Sequence, residues 1–258
     1  MCLLLVALES HPTFRLVVAA NRDESYDRPA APAAFWPEAP SILAGRDLEA
    51  GGTWLGVTLD GRFAALTNFR EPGRHRTHAI SRGGLVEAFL KEDSSAEDYV
   101  AHLAQMGRIY NGFSLVAWDG LKLVYFSNRD GGGLRVLDPG LYGLSNGTLD
   151  EPWPKVTRSK KLLAKALADP PNGLQDRLFT LLADRTEAPD DALPKTGLPV
   201  AWERALSPIF VAAGPHGTRC STVVLLDAAG GADFEERSFS SDGHPAGRMK
   251  IRFSLAGA

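Results

Sequence analysis

The sequence predicts an α+β fold in which two antiparallel β-sheets stack face to face and helices cover both outer surfaces, a four-layer αββα sandwich. Short turns between neighbouring apolar runs favour antiparallel strand pairing over the regular alternation of a doubly wound sheet. The elements follow the order strands, two helices, strands, two helices, strands, which gives each sheet a pair of helices. We find no internal repeat and no linker, so residues 1–258 are predicted to form a single domain.

Composition narrows the class of protein. The 258 residues are 44% hydrophobic and 23% charged, and the formal net charge of -3 gives no general attraction to nucleic acid or to anionic membranes. The first apolar run, residues 3–8, is too short for a bilayer, and no later run approaches the roughly 20 residues that a spanning helix needs. The cysteines, Cys2 and Cys220, do not suggest a disulfide framework. We therefore expect a cytoplasmic protein without stable membrane insertion.

Apolar runs bounded by turn residues predict the strands. The first two runs, on either side of "SHPT", form a hairpin, and two further hairpins turn at Asp60-Gly61 and Asp119-Gly120. The proline-rich residues 22–50 are predicted to form a long loop. Later strands are predicted at "LRVLD", "STVVLLD", "FEERSF" and "MKIRFSL".

Apolar residues at helical spacing predict four helices. The first begins near Ser81 and buries Leu85, Val86, Phe89 and Leu90. The second begins near Ser95 and buries Tyr99, Val100, Leu103 and Met106. The segment "LYGLSNGTLDEPWPK" is predicted to be a loop that leads into a third helix through about Ala168, and a fourth helix covers Leu174 to Leu182.

A polar tetrapeptide, Asn21 to Glu24, directly follows the apolar run "LVVAA" of the second strand. A two- or four-residue turn around His11-Pro12 places Cys2 opposite Asn21, with their Cβ atoms roughly 5 Å apart. Asp23 then continues on the same face of the hairpin, and Arg22 points away. The cysteine and the polar residues are therefore predicted to form one site.

Chemistry supplies a reason for this arrangement. Removal of Met1 leaves Cys2 with a free α-amine, whose pKa of about 8 allows it to act as the base for the thiol. A nearby arginine favours the thiolate, and a carboxylate orients the amine. The site needs no histidine, which suits a chain whose six histidines have no triad or metal-ligand spacing.

Several motifs carry a family resemblance. "MC", "ANRDE", "GGTWLGVT", "ALTNFREP", "SRGGLVEAFL", "GLSNGTLDEPWPK" and "TRCSTVVL" occur in the order typical of the NRDE family, the family of the transport and Golgi organization protein two homologues. This family is similar to N-terminal nucleophile hydrolases of the penicillin V acylase and bile salt hydrolase type. The resemblance implies their αββα fold and cleavage of a non-peptide amide or acyl bond by an N-terminal cysteine.

By this resemblance Cys2 corresponds to the nucleophile, and Arg22 and Asp23 correspond to the arginine and aspartate beside it. Two asparagines of the oxyanion site and a late arginine near the nucleophile correspond to Asn68, Asn146 and Arg219. Hydrolysis of this type requires no cofactor and no metal. Acyl transfer to an acceptor other than water remains an alternative use of the same acyl-enzyme.

The resemblance also implies a second kind of function, the binding and trafficking of haem or of acyl-CoA and lipid without cleavage. Candidate residues for an amphipathic small-molecule ligand are Asn21, Glu24, Arg70, Arg74, Arg76 and Trp54. The basic segment, residues 70–82, is either a solvated loop or an anion-binding lip in front of a helix capped by Ser81. Trp54 is either part of a pocket or part of the core. The sequence does not predict an oligomeric state.

Overall fold

The computed structural model describes residues 1–131 and 133–256, and within these residues it contains two seven-stranded antiparallel sheets. The strands are β1 (Leu3–Leu8), β2 (Phe14–Ser25), β3 (Ala30–Trp36), β4 (Ala39–Asp47), β5 (Leu55–Thr58), β6 (Phe63–Asn68), β7 (Phe113–Trp118), β8 (Leu123–Ser127), β9 (Arg135–Leu137), β10 (Gly140–Leu144), β11 (Ala212–Ala213), β12 (His216–Asp227), β13 (Gly231–Phe239) and β14 (Pro245–Ser254).

The first sheet has the order β10-β1-β2-β12-β13-β14, with the short β11 paired to β12, and the second sheet runs β3-β4-β5-β6-β7-β8-β9. Because neighbours in the second sheet follow chain order, it is a simple meander. In the first sheet, β1 and β2 lie next to strands from the middle and end of the chain. The start of the chain is therefore surrounded by segments that are distant in sequence.

The helices are α1 (Gly83–Lys91), α2 (Ala96–Met106), α3 (Pro154–Ala168), α4 (Leu174–Leu182) and α5 (Val200–Ala205). Ser95 caps α2 by accepting a hydrogen bond from Asp98 N at 3.0 Å, as its position in the sequence predicts. The predicted apolar face of α1 is confirmed. On α2 the prediction is wrong for Met106, which is 40% exposed because the helix ends there.

Three apolar clusters define the layers. One lies between the sheets and contains alternate residues of β1 and β2, such as Leu4 and Val18. The second joins α1 and α2 to the outer face of the second sheet. The third joins α3 and α4 to the outer face of the first sheet through the other residues of β1 and β2, such as Leu5 and Val17. The predicted αββα sandwich with antiparallel sheets is confirmed.

Two predicted loops contain strands. Within residues 22–50, β2 continues to Ser25, and β3 and β4 follow. The prolines misled the prediction because β3 is an edge strand, where proline is tolerated, and Pro32 lies in an irregularity between Ala31 and Ala34. The segment 140–144 also forms a strand, β10, despite two glycines, because it pairs with the otherwise open edge of β1.

The predicted register of the first hairpin is wrong by one residue. Residues 9–13 connect β1 to β2, and this odd number of residues pairs Leu3, not Cys2, with Asn21. The loop has this length because Nδ1 of His11 accepts backbone hydrogen bonds from Thr13 and Phe14. Alternation along β2 then directs Asn21 and Asp23 to the side of α3 and α4, and directs Arg22 and Glu24 towards the second sheet.

The described helices include none that is long and apolar enough to cross a membrane.

Candidate functional site

Cys2 lies just before β1, and three contacts fix its position. Its backbone N–H donates to the carbonyl of Asn21 at 3.2 Å, and its own carbonyl accepts from Oγ of Ser145 at 2.7 Å. Its Sγ donates to the carbonyl of Asp23 at 3.7 Å. The cysteine is therefore held between the end of β2 and the residues that follow β10. Its predicted proximity to the polar tetrapeptide is confirmed, although the register differs.

Asn146 is the side chain that connects this cysteine to its surroundings. It is 6% exposed, and its Nδ2 donates to the carbonyl of Asn68 at 2.9 Å and towards the carbonyl of Met1 at 3.5 Å. Its amide also lowers the pKa of the Cys2 thiol. One amide thus acts on the thiol and is directed towards the peptide carbonyl directly before it. Asn68 contributes its backbone oxygen to this arrangement.

Several charges act on the thiol of Cys2. Desolvation raises its pKa most strongly, and the carboxylate of Asp23 raises it further. The α-amine of Met1, the ammonium of Lys155 and the amide of Asn146 act in the opposite direction without cancelling these effects. In a chain that retains Met1, the thiol therefore stays protonated at neutral pH.

Asp23 and Lys155 form a buried pair beside the thiol. Asp23 is 2% exposed, and its Oδ1 accepts from Oγ1 of Thr218 at 2.7 Å. Its Oδ2 lies 3.9 Å from Nζ of Lys155, which comes from the first turn of α3. Neither of these two atoms has a hydrogen-bond partner in the described part of the chain. The pair is therefore an ion pair without direct hydrogen bonding.

Arg22 occupies the other side of β2. Its guanidinium lies 4.2 Å from the centre of the Trp54 ring, and the residue is only 4% exposed. Among the described residues its side chain has no hydrogen bond and no ion pair within 4 Å. Its charge acts on Glu24, Cys220 and Glu236, and it is not among the largest influences on the pKa of Cys2. The predicted thiolate-supporting role of Arg22 has no geometric support here.

A cavity of about 310 Å³ lies next to Arg22. Its lining combines apolar and charged side chains, among them Met1, Arg22, Glu24, Trp54, Ile80 and Arg82. Cys2 does not line it, and Met1, which is 5% exposed, lies between the cavity and the cysteine. Burial raises the pKa of Glu24, but the α-amine of Met1, the N–H of Ser25 and the nearby arginines outweigh it and lower the pKa. The cavity is therefore polar and carries both signs of charge.

The remaining predicted residues have different surroundings. Asn21 is fully buried, and its Nδ2 donates to the carbonyls of Leu182 and Ile209 while its Oδ1 accepts from Ser221, so it holds the first sheet against its helical layer. Arg219 donates to the carbonyls of Ser25 and Arg28, in the β2–β3 turn. Neither residue lines the cavity.

The residues of the basic segment also differ in their surroundings, and only some of them line the cavity. Arg70 forms an ion pair with Glu203 at 2.5 Å. Arg76 lines the cavity, but its Nη2 donates to the carbonyls of Arg108 and Tyr110. Arg74 is exposed and lies outside the cavity lining. Ser81 precedes α1 without capping it. The segment thus forms one wall of the cavity.

Sequence comparisons identify the relatives of this chain. The family described as Transport and Golgi organisation 2, TANGO2, has a sequence model that matches residues 1–241. The transport and Golgi organization protein 2 homolog of Bos taurus is 38% identical over 259 residues, which cover 92% of this chain and 93% of that protein. The chain belongs to the TANGO2 family. The Drosophila melanogaster protein of this family is 29% identical over 265 residues, with 93% of each chain covered.

A structural comparison agrees with the fold of this TANGO2 family member. A mutant of the conjugated bile acid hydrolase from Clostridium perfringens superimposes with a TM-score of 0.52, at 9% sequence identity. The match covers 99% of this chain and 92% of the hydrolase. At that identity the likeness establishes the shared fold, that of the N-terminal nucleophile hydrolases.

Two residues of this TANGO2 chain whose charges interact with Asp23 were missed by the sequence analysis. Lys155 lies in the motif "EPWPK", where it reads as the start of an amphipathic helix, and only the fold brings it to Asp23. His216 begins β12, and burial lowers its pKa although Asp23 and Glu24 oppose that shift. The signal for Lys155 is weak but present, because a lysine is unfavourable in the first turn of a helix.

Proposed function

We propose that this protein is an amidohydrolase in which Cys2, as the first residue of the processed chain, attacks a non-peptide amide or related acyl bond. The observation that carries the proposal is the position of Asn146, whose buried amide is directed towards the carbonyl of Met1 and lowers the pKa of the Cys2 thiol. A donor that points towards the carbonyl next to a nucleophile can turn to a substrate oxygen when that carbonyl is removed, and donors of this kind stabilise an oxyanion.

Removal of Met1 changes three features of the site at once. The Cys2 nitrogen becomes an α-amine that keeps Asn21 O as its hydrogen-bond acceptor. The Asn146 amide loses the Met1 carbonyl and becomes available to a substrate oxygen. The Met1 side chain, which lines the cavity, no longer separates it from the cysteine. The cavity then becomes the binding site for the substrate.

The reaction proceeds in two steps. Sγ of Cys2 forms a bond to the carbonyl carbon while the α-amine takes the thiol proton, and Asn146 donates to the oxyanion. The C–N bond then breaks, and the leaving nitrogen receives that proton. The oxygen of a water molecule then bonds to the acyl carbon of the thioester, the C–S bond breaks, and the carboxylic acid is released while a proton of that water passes through the α-amine to sulfur. Arg22, in the cavity, binds the substrate and does not act on the thiol.

The test compares two chains that differ by one residue at the N-terminus, one that begins with Cys2 and one with a single glycine in front of it. We expect N-acyl amides to be hydrolysed only by the first chain. Cys2→Ala abolishes this activity, and Asn146→Ala lowers kcat about 10²- to 10³-fold. Cys220→Ala is the matched control, because that thiol lies in the core between the sheets. Equal turnover by Cys2→Ala, or no turnover by a chain that begins with Cys2, contradicts the proposal.

A second candidate function is the binding of an anionic amphipathic ligand, such as haem or an acyl-CoA, without cleavage. The observation that favours it is the buried guanidinium of Arg22, which lines the cavity, contacts Trp54 and has no ion-pair partner within 4 Å in residues 1–131 and 133–256. A carboxylate or phosphate would supply that partner. Titration with haem and with an acyl-CoA tests it in the Cys2→Ala background. Arg22→Met is expected to weaken binding at least about tenfold, the effect of one lost charge-assisted hydrogen bond.

Arg46→Met is the control for this titration, because Arg46 also stacks at 4.2 Å on a tryptophan, Trp36, but does not line the cavity. Equal binding by the Arg22 and Arg46 variants contradicts the second candidate function.

A further inference from the structure

Lys155 is a buried lysine that the proposed reaction does not use. It is 3% exposed, although lysine is among the residues least often fully buried. It is also the second residue of α3, directly after Pro154, where the helix dipole disfavours a cation by about 0.3–1 kcal/mol. Both the burial of the lysine and its position at the helix N-terminus are unfavourable for stability. A residue that is retained despite both costs indicates a chemical role and not a contribution to helix stability.

The surroundings of Lys155 are those of a proton-transfer group. Its Nζ has no hydrogen-bond partner among the described residues, and the charged atom within 4 Å is Oδ2 of Asp23, at 3.9 Å, which also has no partner. The Cys2 thiol lies close enough for the charges of both residues to act on it. An unpartnered amine, an unpartnered carboxylate oxygen and a thiol therefore share one buried region.

The charged groups around Lys155 come from four segments. They are Asp23 of β2, Cys2 before β1, Arg70 after β6 and His216 of β12. Burial lowers the pKa of Lys155 and Arg70 lowers it further, whereas Asp23 and a Cys2 thiolate raise it without restoring its usual value. Burial and Asp23 raise the pKa of Cys2. These shifts favour a resting pair in which the proton stays on sulfur and the amine has an increased neutral fraction.

We propose that Lys155 is a proton acceptor for the Cys2 thiol, so that a side chain activates this cysteine in addition to its own α-amine. The inference rests on the proposed nucleophilic role of Cys2. As sulfur forms its bond to an electrophilic carbon, the thiol proton moves to Nζ, and the carboxylate of Asp23 stabilises the new ammonium. In the hydrolysis, one thiol proton moves in each turnover, and it reaches the leaving nitrogen through either Nζ or the α-amine. Buried lysines are suited to this role because their pKa shifts readily.

The experiment measures alkylation of Cys2 by iodoacetamide from neutral to alkaline pH, quantified by mass spectrometry of the N-terminal peptide. It uses the chain that begins with glycine before Cys2, in which the Cys2 nitrogen is a peptide amide and cannot accept the thiol proton. We expect Lys155→Met to slow alkylation at neutral pH at least about tenfold, because the thiol loses the general base that accepts its proton. Lys161→Met, an exposed lysine of the same helix, leaves the rate and its pH profile unchanged.

Lys155→Arg distinguishes two roles of Lys155, that of a base and that of a permanent positive charge. Arginine keeps the charge but does not release a proton in this pH range, so it cannot act as the base. We expect it to react as slowly as Lys155→Met. A wild-type pH profile in either Lys155 variant overturns the inference. If Lys155→Met does not fold, Lys155→Arg decides alone by the same criterion. Amide hydrolysis is measured separately, so a changed alkylation profile without hydrolysis leaves the role of Lys155 standing and refutes the proposed function.

Discussion

The ion pair between Arg70 and Glu203 ties α5 to the wall of the candidate site. Their side chains are 11% and 3% exposed, and Nη1 lies 2.5 Å from Oε2. The other oxygen of Glu203 accepts from N and Oγ1 of Thr196, and the guanidinium lies 4.8 Å from the ring of Trp153. The backbone N–H of Arg70 donates to the carbonyl of Asn146 at 2.7 Å. The pair therefore supports the backbone of the proposed oxyanion donor.

Glu203→Ala leaves the Arg70 cation buried without its carboxylate. Removing one partner of a buried pair costs about 3–5 kcal/mol. We expect the lower end, about 3 kcal/mol, because Arg70 keeps its contact with Trp153 and a small exposed area. The matched control is Asp190→Ala. It breaks the ion pair between Asp190 and Arg204, the residue that follows Glu203 in the chain. Those side chains are 43% and 55% exposed, so the expected cost is about 0–1 kcal/mol.

Urea denaturation followed by tryptophan fluorescence and by circular dichroism measures both effects. With a slope of about 3 kcal/mol per molar urea, Glu203→Ala should lower the midpoint by about 1 M, and Asp190→Ala should barely move it. Glu203→Gln should lie between them, because it loses the charge but retains the acceptor for Thr196. If Glu203→Ala and Asp190→Ala shift the urea midpoint equally, the reasoning that burial makes the loss of Glu203 more costly is refuted.

Three further predictions concern stability. Burial raises the pKa of Glu236, so its contribution to stability is complete below the pKa of an unfolded carboxyl and is lost as pH rises through the folded value. The unfolding temperature of Glu236→Gln should therefore increase relative to that of wild type as pH rises from acid to neutral. A difference in unfolding temperature that does not change with pH contradicts this. Gly217→Ala places a Cβ 2.5 Å from the hydroxyl of Tyr26 and 2.8 Å from the carbonyl of Val211. It should cost about 1–3 kcal/mol in urea denaturation, and no measurable loss would show that the strands relax. Leu178→Ala, fully buried on α4, should cost about 2–5 kcal/mol in the same assay, a value that a surface position would not reach.

The fold was predictable where local signals and packing agree. The turns at Gly61 and Gly120, both at positive φ, the apolar face of α1 and the two ends of α4 have the expected positions. The strands β3 and β10 were missed because proline and glycine oppose strand formation locally, and only pairing with a neighbour outweighs them. Such tertiary stabilisation leaves no periodic pattern in the sequence.

The sequence was sufficient to predict which residues of the candidate site lie close together, but not the direction in which each side chain points. That Cys2 lies beside the polar tetrapeptide follows from any short hairpin. The face on which each side chain lies depends on one residue of loop length, and that length is set by the side chain of His11, which a turn pattern does not reveal. The contribution of Lys155 requires α3 to pack against the first sheet, a contact between segments more than 100 residues apart in the chain.

Because side chains alternate along β2, the four residues of the polar tetrapeptide lie in pairs on its two faces. Asn21 and Asp23 face the helical layer, where the first fixes the backbone and the second adjoins Lys155 and the thiol. Arg22 and Glu24 line the cavity on the other face. The proposed ligand binding and the proposed thiol chemistry thus involve adjacent residues on opposite sides of one strand. It follows that Arg22→Met should change ligand affinity while leaving Cys2 alkylation unchanged, and that Asp23→Asn should do the reverse, because each change acts on its own face of the strand.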